Sequence, residues 1–240
     1  FVTDRWRDTG FITISDLNKF LQRTEENTSL SLGAYTSTKQ YSSNDDGNEA
    51  DYLPGQVNFQ GANPTQMIGA AVFKRGKMIG NLTGDENRLK SMLFTFEDPI
   101  DRAYKISAKL IKSKNTKIKI DISSNKPKVN VVVPVKIEIL AIPSFVKYVE
   151  VKDNEQLLRN AIKEQLEEKA GKLIKKTQEV FGGEPFLWQL EVRKKFWTFE
   201  EYQNYNWMDK YDKAEVSINF DVIIKSFGKQ LNPSQNLQED

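Results

Sequence analysis

The sequence predicts an α+β fold in two mixed domains, the C-terminal one an antiparallel sheet packed against a long amphipathic helix. Three observations predict it. Apolar and polar residues alternate in three late segments, around Ile118, from Val129 to Ile139, and from Val216 to Ile224. Apolar residues recur every fourth position from Leu158 to Ile174, with charged residues between them. Two short apolar runs flank a turn signal at Gly76. Period two marks a strand with one buried face, and a period near 3.6 marks a helix with an apolar stripe.

The elements follow in order. Residues 1–23 read as a short extended piece and then a helix. Ser15 or Asp16 is placed to cap it, and Leu17, Phe20 and Leu21 form its apolar face. Thr24 to Asp51 is rich in Ser, Thr, Asn and Gly and reads as a long exposed loop. Ile68 to Phe73 and Met78 to Leu82 read as the arms of a hairpin, with Lys74-Arg-Gly-Lys77 as its turn. A short helix starting at Thr83 or Asp85 is expected to carry Leu89, Met92 and Leu93.

The second half is more regular. Ile118, Ile120 and Ile122 form one half-buried strand, and the odd-numbered residues from Val129 to Ile139 form a longer one. Pro134 lacks an N–H, so it predicts a local edge or a bulge there. Val216, Ile218, Phe220, Val222 and Ile224 form the third strand, and the three are expected to pair antiparallel with one wet face. A helix is predicted from Asn154 to Phe181, capped by Asp153 with Gln156 in capping-box position. Leu173, Val180 and Phe181 widen its stripe, and Gly182-Gly183 ends it in a left-handed cap. Thr198 and Glu201 form a second capping-box pair, which predicts a helix over 199–209. Residues 186–196 fit a helix through Trp188, Val192 and Phe196, or a strand through Leu190 and Val192. Beyond Gly228 the chain is polar and reads as a frayed tail.

Composition limits the chemistry. The chain has no histidine and no cysteine, which removes the commonest general base, thiolate nucleophiles, disulfides and thiolate metal sites. Neither a G-x-S-x-G nor a phosphate-binding loop is present. The acidic loop Asn44-Asp-Asp-Gly-Asn-Glu49 lacks the alternating ligand spacing of a calcium loop. Glu167, Glu168, Glu200 and Glu201 sit among mixed charges and read as solvated helix faces. The protein is therefore read as not an enzyme, with no catalytic residue, no cofactor and no metal site assigned. A net charge of +2 is too balanced to indicate nucleic acid. No apolar run approaches the ~18 residues of a membrane span. The sequence begins at Phe1 with no leader pattern, so it reads as a piece of a longer protein.

What remains is binding. Nine aromatic residues crowd the segment from Phe186 to Tyr211. Trp and Tyr dominate interface hot spots, although such rings also complete cores. The interaction candidates are Trp197, Tyr205 and Trp207 there, and Lys74, Arg75 and Lys77 in the hairpin turn. Exposure of each tryptophan separates a contact patch from a core.

The hairpin Gly69-Ala-Ala-Val-Phe-Lys-Arg-Gly-Lys-Met-Ile-Gly80, followed by Leu82 and Glu86, resembles a stretch of the Ger(x)C family, the C subunits of spore germinant receptors. The long helix, Phe181-Gly-Gly, the Trp-rich segment and the last alternating strand also resemble that family's C-terminal domain. The likeness spans about residues 60–228. It implies a division into 1–97, a second family domain with the end of a first, then 98–228, the C-terminal domain, then a tail, 229–240. It implies a lipoprotein on the outer surface of the spore inner membrane, anchored by a lipidated N-terminal cysteine outside this sequence. It implies A and B membrane subunits as partners in nutrient-triggered germination, and no nucleic acid. Two other readings stay open: a module that itself binds the nutrient, or a spore-envelope protein that regulates cortex hydrolysis.

Overall fold

The structure is a computed structural model that describes residues 17–26, 29–39, 52–57, 65–88, 93–112 and 115–227. The expected tail, half of the long loop including 40–51, and the Ser15 or Asp16 cap lie outside the described residues. The fold is α+β, as the patterns predicted. The chain divides into two compact units, which its long elements serve in turn. Unit 1 comprises residues 1–92, 117–132 and 169–219, and unit 2 comprises 93–116, 133–168 and 220–240.

Unit 1 contains an antiparallel sheet in the order β1-β2-β3, with β1 Ser31–Ser37, β2 Gln66–Lys74 and β3 Lys77–Leu82. The hairpin is where the turn chemistry placed it. Arg75 and Gly76 have φ of 51° and 75°, the two positive values that a tight two-residue hairpin turn needs. Strand β1 corrects the loop expectation for this stretch. Its Ser, Gly and Thr residues look loop-like, but Leu30 and Leu32 are buried in a core with Val72, Leu82, Leu173, Phe181 and Met208. Burial of two leucines outweighs a weak local preference. Helix α1, Leu17–Glu26, forms as expected, yet Leu17 and Leu21 are exposed. Phe20 of that helix packs edge-on against Phe73, ring centres 5.1 Å apart.

Helix α2, Gly84–Arg88, is short and capped by Thr83, whose hydroxyl accepts from the Glu86 N–H while Glu86 accepts from the Thr83 N–H. Leu93, expected in this helix, instead opens strand β4, Leu93–Glu97. Leu89 and Met92 lie outside the described residues.

Four further strands complete a second sheet: β5 Lys105–Lys112, β6 Lys117–Asp121, β7 Lys128–Ala141 and β8 Glu215–Phe227. Strand order is β4-β5-β7-β6, all antiparallel pairings, with β8 also on β7. β7 pairs with β6 through Val132 and with β5 from Val135, and neither register includes Val133 or Pro134. The missing proline N–H falls where the ladder changes partner, which makes the strand locally an edge. β8 corrects the expected antiparallel pairing. Lys128 meets Glu215 at 3.9 Å and Glu138 meets Lys225 at 3.1 Å. Both pairs are separated by the same 87 positions, which is the signature of parallel strands. A parallel neighbour needs a long crossover, and the helices between β7 and β8 supply it.

The crossover begins with α3, Lys152–Lys176, followed by a π turn, Thr177–Phe181. The helix starts before the predicted cap, so Asp153 lies inside it, and the Asn154 and Glu155 N–H groups bond to the Val151 carbonyl. Leu158, Ile162, Leu166, Ala170, Leu173 and Ile174 are buried, as the stripe predicted. In unit 2, Gln165 exchanges hydrogen bonds with the Glu97 backbone of β4, and Glu167 accepts from the Phe220 N–H of β8. Val180 is exposed because the π turn adds a residue to the last turn and rotates it out of the stripe. Gly182 ends the element at φ 55°, ψ 43°, the left-handed cap expected.

Candidate interaction surface

The hairpin turn separates its three cations. Lys74 donates from Nζ to the Gly182 carbonyl at 2.8 Å, so it ties β2 to the end of the π turn. Arg75 and Lys77 are exposed on either side of Gly76. Lys74 is therefore a structural tie, and only its neighbours present charge to solvent.

The aromatic segment resolves into three short helices, α4 Gln189–Arg193, α5 Phe199–Tyr205 and α6 Trp207–Tyr211. Helical spacing wins for 186–196, with Trp188 and Val192 buried and Leu190 exposed. The predicted 199–209 helix breaks at Asn206, whose φ of 52° allows a sharp change of direction. The capping box at α5 is complete. The Thr198 hydroxyl accepts from the Glu201 N–H at 3.1 Å, and the Glu201 carboxylate accepts from the Thr198 and Trp197 N–H groups.

That box decides what Trp197 does. The residue before an N-cap often packs on the fourth helical residue as a hydrophobic staple. Here that residue is Tyr202, which packs instead with Phe196 and Phe199, ring centres 6.0 and 6.1 Å away. The Arg193 guanidinium lies 5.9 Å from the Phe199 and Tyr202 rings and donates to the Phe196 carbonyl. Trp197 is left 96% exposed on a fixed backbone, with Phe199 48% exposed beside it in sequence. Lys194, Lys195, Glu200 and Glu201 are also exposed, so the surrounding charge is mixed.

The other two aromatic candidates go inward. Trp207 is 2% exposed and packs with Tyr211, so it is a core residue and not a surface contact. Tyr205 is half-buried, 5.1 Å from Phe196, with the Lys210 ammonium 4.6 Å from its ring centre. Burial and then the charge of Asp121 push its phenol pKa upward.

Unit 2 carries a surface that the sequence reading missed. Asp98 is fully buried, and its carboxylate accepts from the Ser144 and Tyr148 hydroxyls and from the Ile100 and Asp101 N–H groups at 2.9 and 3.1 Å. Burial raises its pKa, but these donors together hold it below the usual range. Tyr148 moves the other way, raised first by burial and then by its bond to Asp98. This carboxylate staples loop 98–104 to loop 142–151. The two loops expose Ile100, Tyr104, Phe145, Val149 and Val151, with Phe145 73% exposed and at φ 55°. A bulky residue held in the left-handed region is strained and persists only where its surroundings fix it. The available sequence signal was Asp98-Pro99, a turn-initiating pair. The remote Ser144 and Tyr148 gave none.

Among the described residues no helix is long and apolar enough to cross a membrane, and no group of acidic side chains is arranged to hold a metal ion. No curated protein matches the sequence. The fold is similar to a solved structure titled "Crystal Structure of the GerBC protein", with a TM-score of 0.60 and 18% identity. The match covers 90% of this chain and 65% of that one, so this chain spans about two thirds of its length. The family model for spore germination B3/GerAC-like proteins, C-terminal, matches residues 68–228, from the hairpin to the end of β8. The chain belongs to that spore germination family.

Proposed function

We propose that this chain is part of the C subunit of a nutrient germinant receptor and acts without catalysis, by assembling with A and B membrane subunits. In this reading the whole protein is a lipoprotein, palmitoylated on a cysteine outside this sequence and held on the outer surface of the spore inner membrane. Family membership supports the receptor role. The observation that carries assembly is Trp197, a solvent-facing aromatic on a backbone held by the capping box, with an apolar neighbour and a mixed-charge surround. That is the anatomy of a docking anchor: a large apolar centre and a polar rim. The exposed Arg75 and Lys77, and the stapled loops of unit 2, are further contact candidates. Tyr205 contributes through its ring contact with Phe196, the residue that precedes Trp197. The domain boundary at 97/98 is also proposed, supported by the β1–β3 sheet lying wholly before it, although β4 on its near side pairs with β5 beyond it.

The test is co-purification of the full-length C subunit with A and B from detergent-solubilised spore membranes. Recovery of both with the native protein, and loss of at least one with Trp197→Ala, is the expected result. Recovery of neither with the native protein overturns the proposal. The nutrient-binding alternative has less support. Trp188, Trp207 and Tyr211 could have lined a cleft, but they fill the space against one another.

A further inference from the structure

Glu184 stands in the turn between the π turn and α4 and is fully buried. It joins three pieces of unit 1. Its carboxyl accepts from the Phe186 N–H at 2.6 Å and from the Gln189 N–H at 2.9 Å, which caps α4. Its own carbonyl accepts from the Leu30 N–H at 2.9 Å, where β1 begins. All of these donors are neutral. The other groups facing the turn are the Tyr211 phenol and the Lys74 ammonium, and Lys74 is bonded to the Gly182 carbonyl. A fully buried carboxylate with only neutral donors is a poor place for a full charge.

Of the buried polar atoms on residues that interact with it, Gln189 Oε1 lacks a donor, while the Trp207 indole N–H lacks an acceptor at full hydrogen-bond geometry. A neutral Glu184 brings a donor to this neighbourhood, whereas an ionised one brings another acceptor. We propose that Glu184 is a proton-linked joint of unit 1, neutral while β1, the 182–188 turn and α4 are closed on one another, and charged when they part. This inference goes beyond the receptor reading and does not depend on it.

Its direction in pH follows from the environment. Burial raises the Glu184 pKa, outweighing the Gln189, Trp188 and Phe186 N–H groups and the Trp207 indole, which act to lower it. A carboxyl with a raised pKa in the folded state gives stability that is fully present below its unfolded value, ~4.3. That stability is lost as pH rises through the folded value. The joint is therefore tightest in acid and loosens as pH rises through the folded value.

The experiment compares the native chain with Glu184→Gln, which keeps the shape and cannot ionise. Thermal midpoints are measured from pH 4.5 to 9. Other carboxylates contribute equally to both proteins, so the difference between the curves isolates Glu184. The midpoint of the native chain is expected to fall relative to Glu184→Gln as pH rises. The fall is roughly 3–5 °C for each pH unit by which folding displaces the carboxyl's titration. Protection factors at the Leu30, Phe186 and Gln189 amides, corrected for the intrinsic rise of exchange with pH, should fall over the same range in the native chain alone. Parallel curves would overturn the proposal. If the variant does not fold, carbon-13 titration of the Glu184 carboxyl in the native chain decides. A midpoint above ~4.3 supports the joint, and one at or below it sinks the idea.

Discussion

Asp98 and Glu184 are both fully buried, and acid acts on them in opposite directions. Asp98 receives two hydroxyl donors as well as two amides, so its anion is favoured. Its depressed pKa gives stability that is present above the unfolded value, ~3.9, and is lost as pH falls through the folded value. Asp98→Asn is expected to cost unit 2 about 1–3 kcal/mol at pH 7, read as a lower urea midpoint. The gap to the native protein should narrow below pH ~4. An unchanged midpoint at pH 7 would show that the two loops hold without their staple. Trp197 is the contrasting residue. It touches little of its own chain, so Trp197→Ala should change stability by no more than ~0.5 kcal/mol. Calorimetric unfolding checks that, and a large loss would mean the ring is packed and not presented.

At the scale of elements, the hairpin glycines acquire physical reasons. Gly69 sits in β2 at φ 74°, and a Cβ there would meet the Leu82 carbonyl oxygen at 2.0 Å. Gly80 in β3 faces Phe181, whose ring would lie 2.7 Å from a Cβ. The motif thus encodes a strained strand position and a close approach between the hairpin and the π turn. Gly69→Ala is expected to destabilise unit 1 by about 2 kcal/mol or more, since the obstacle is backbone and the φ is unfavourable. Gly80→Ala should cost less, because a ring can shift. Chemical denaturation of the two variants gives the order, and the reverse order would contradict this account. For α5, Thr198→Ala removes one half of the capping box and should cost about 1 kcal/mol. It should also free the Trp197 backbone, read as faster amide exchange at Trp197.

At the scale of the whole molecule, two apolar surfaces compete for the role of docking face. One is Trp197 with Phe199 in unit 1, and the other is the stapled loop pair with Phe145 in unit 2. Trp197→Ala and Phe145→Ser separate them in the same co-purification assay. The proposed assembly expects Trp197→Ala to weaken recovery of a membrane subunit by about 30-fold, as a hot spot of ~2 kcal/mol does. A loss seen only with Phe145→Ser would move the interface to unit 2. Assembly should also raise protection of the Trp197 indole from oxidation in the complex.

The sequence by itself determined the features that depend on near neighbours. Alternation placed β6, β7 and β8, and four-residue spacing placed α3. Gly182 fixed its left-handed end, Gly76 fixed the hairpin, and Thr198 with Glu201 fixed the start of α5. Each is a period or a cap that a few adjacent residues complete. Tertiary structure alone decided which aromatic rings face water. Trp197 and Trp207 are ten positions apart and chemically alike, yet one is 96% and the other 2% exposed. It also made a strand of Ser31–Ser37, set β8 parallel to β7, and brought Ser144 and Tyr148 to Asp98. The reason is common to all four. Burial and hydrogen bonding between remote segments depend on which surfaces meet, and neither period nor composition carries that information.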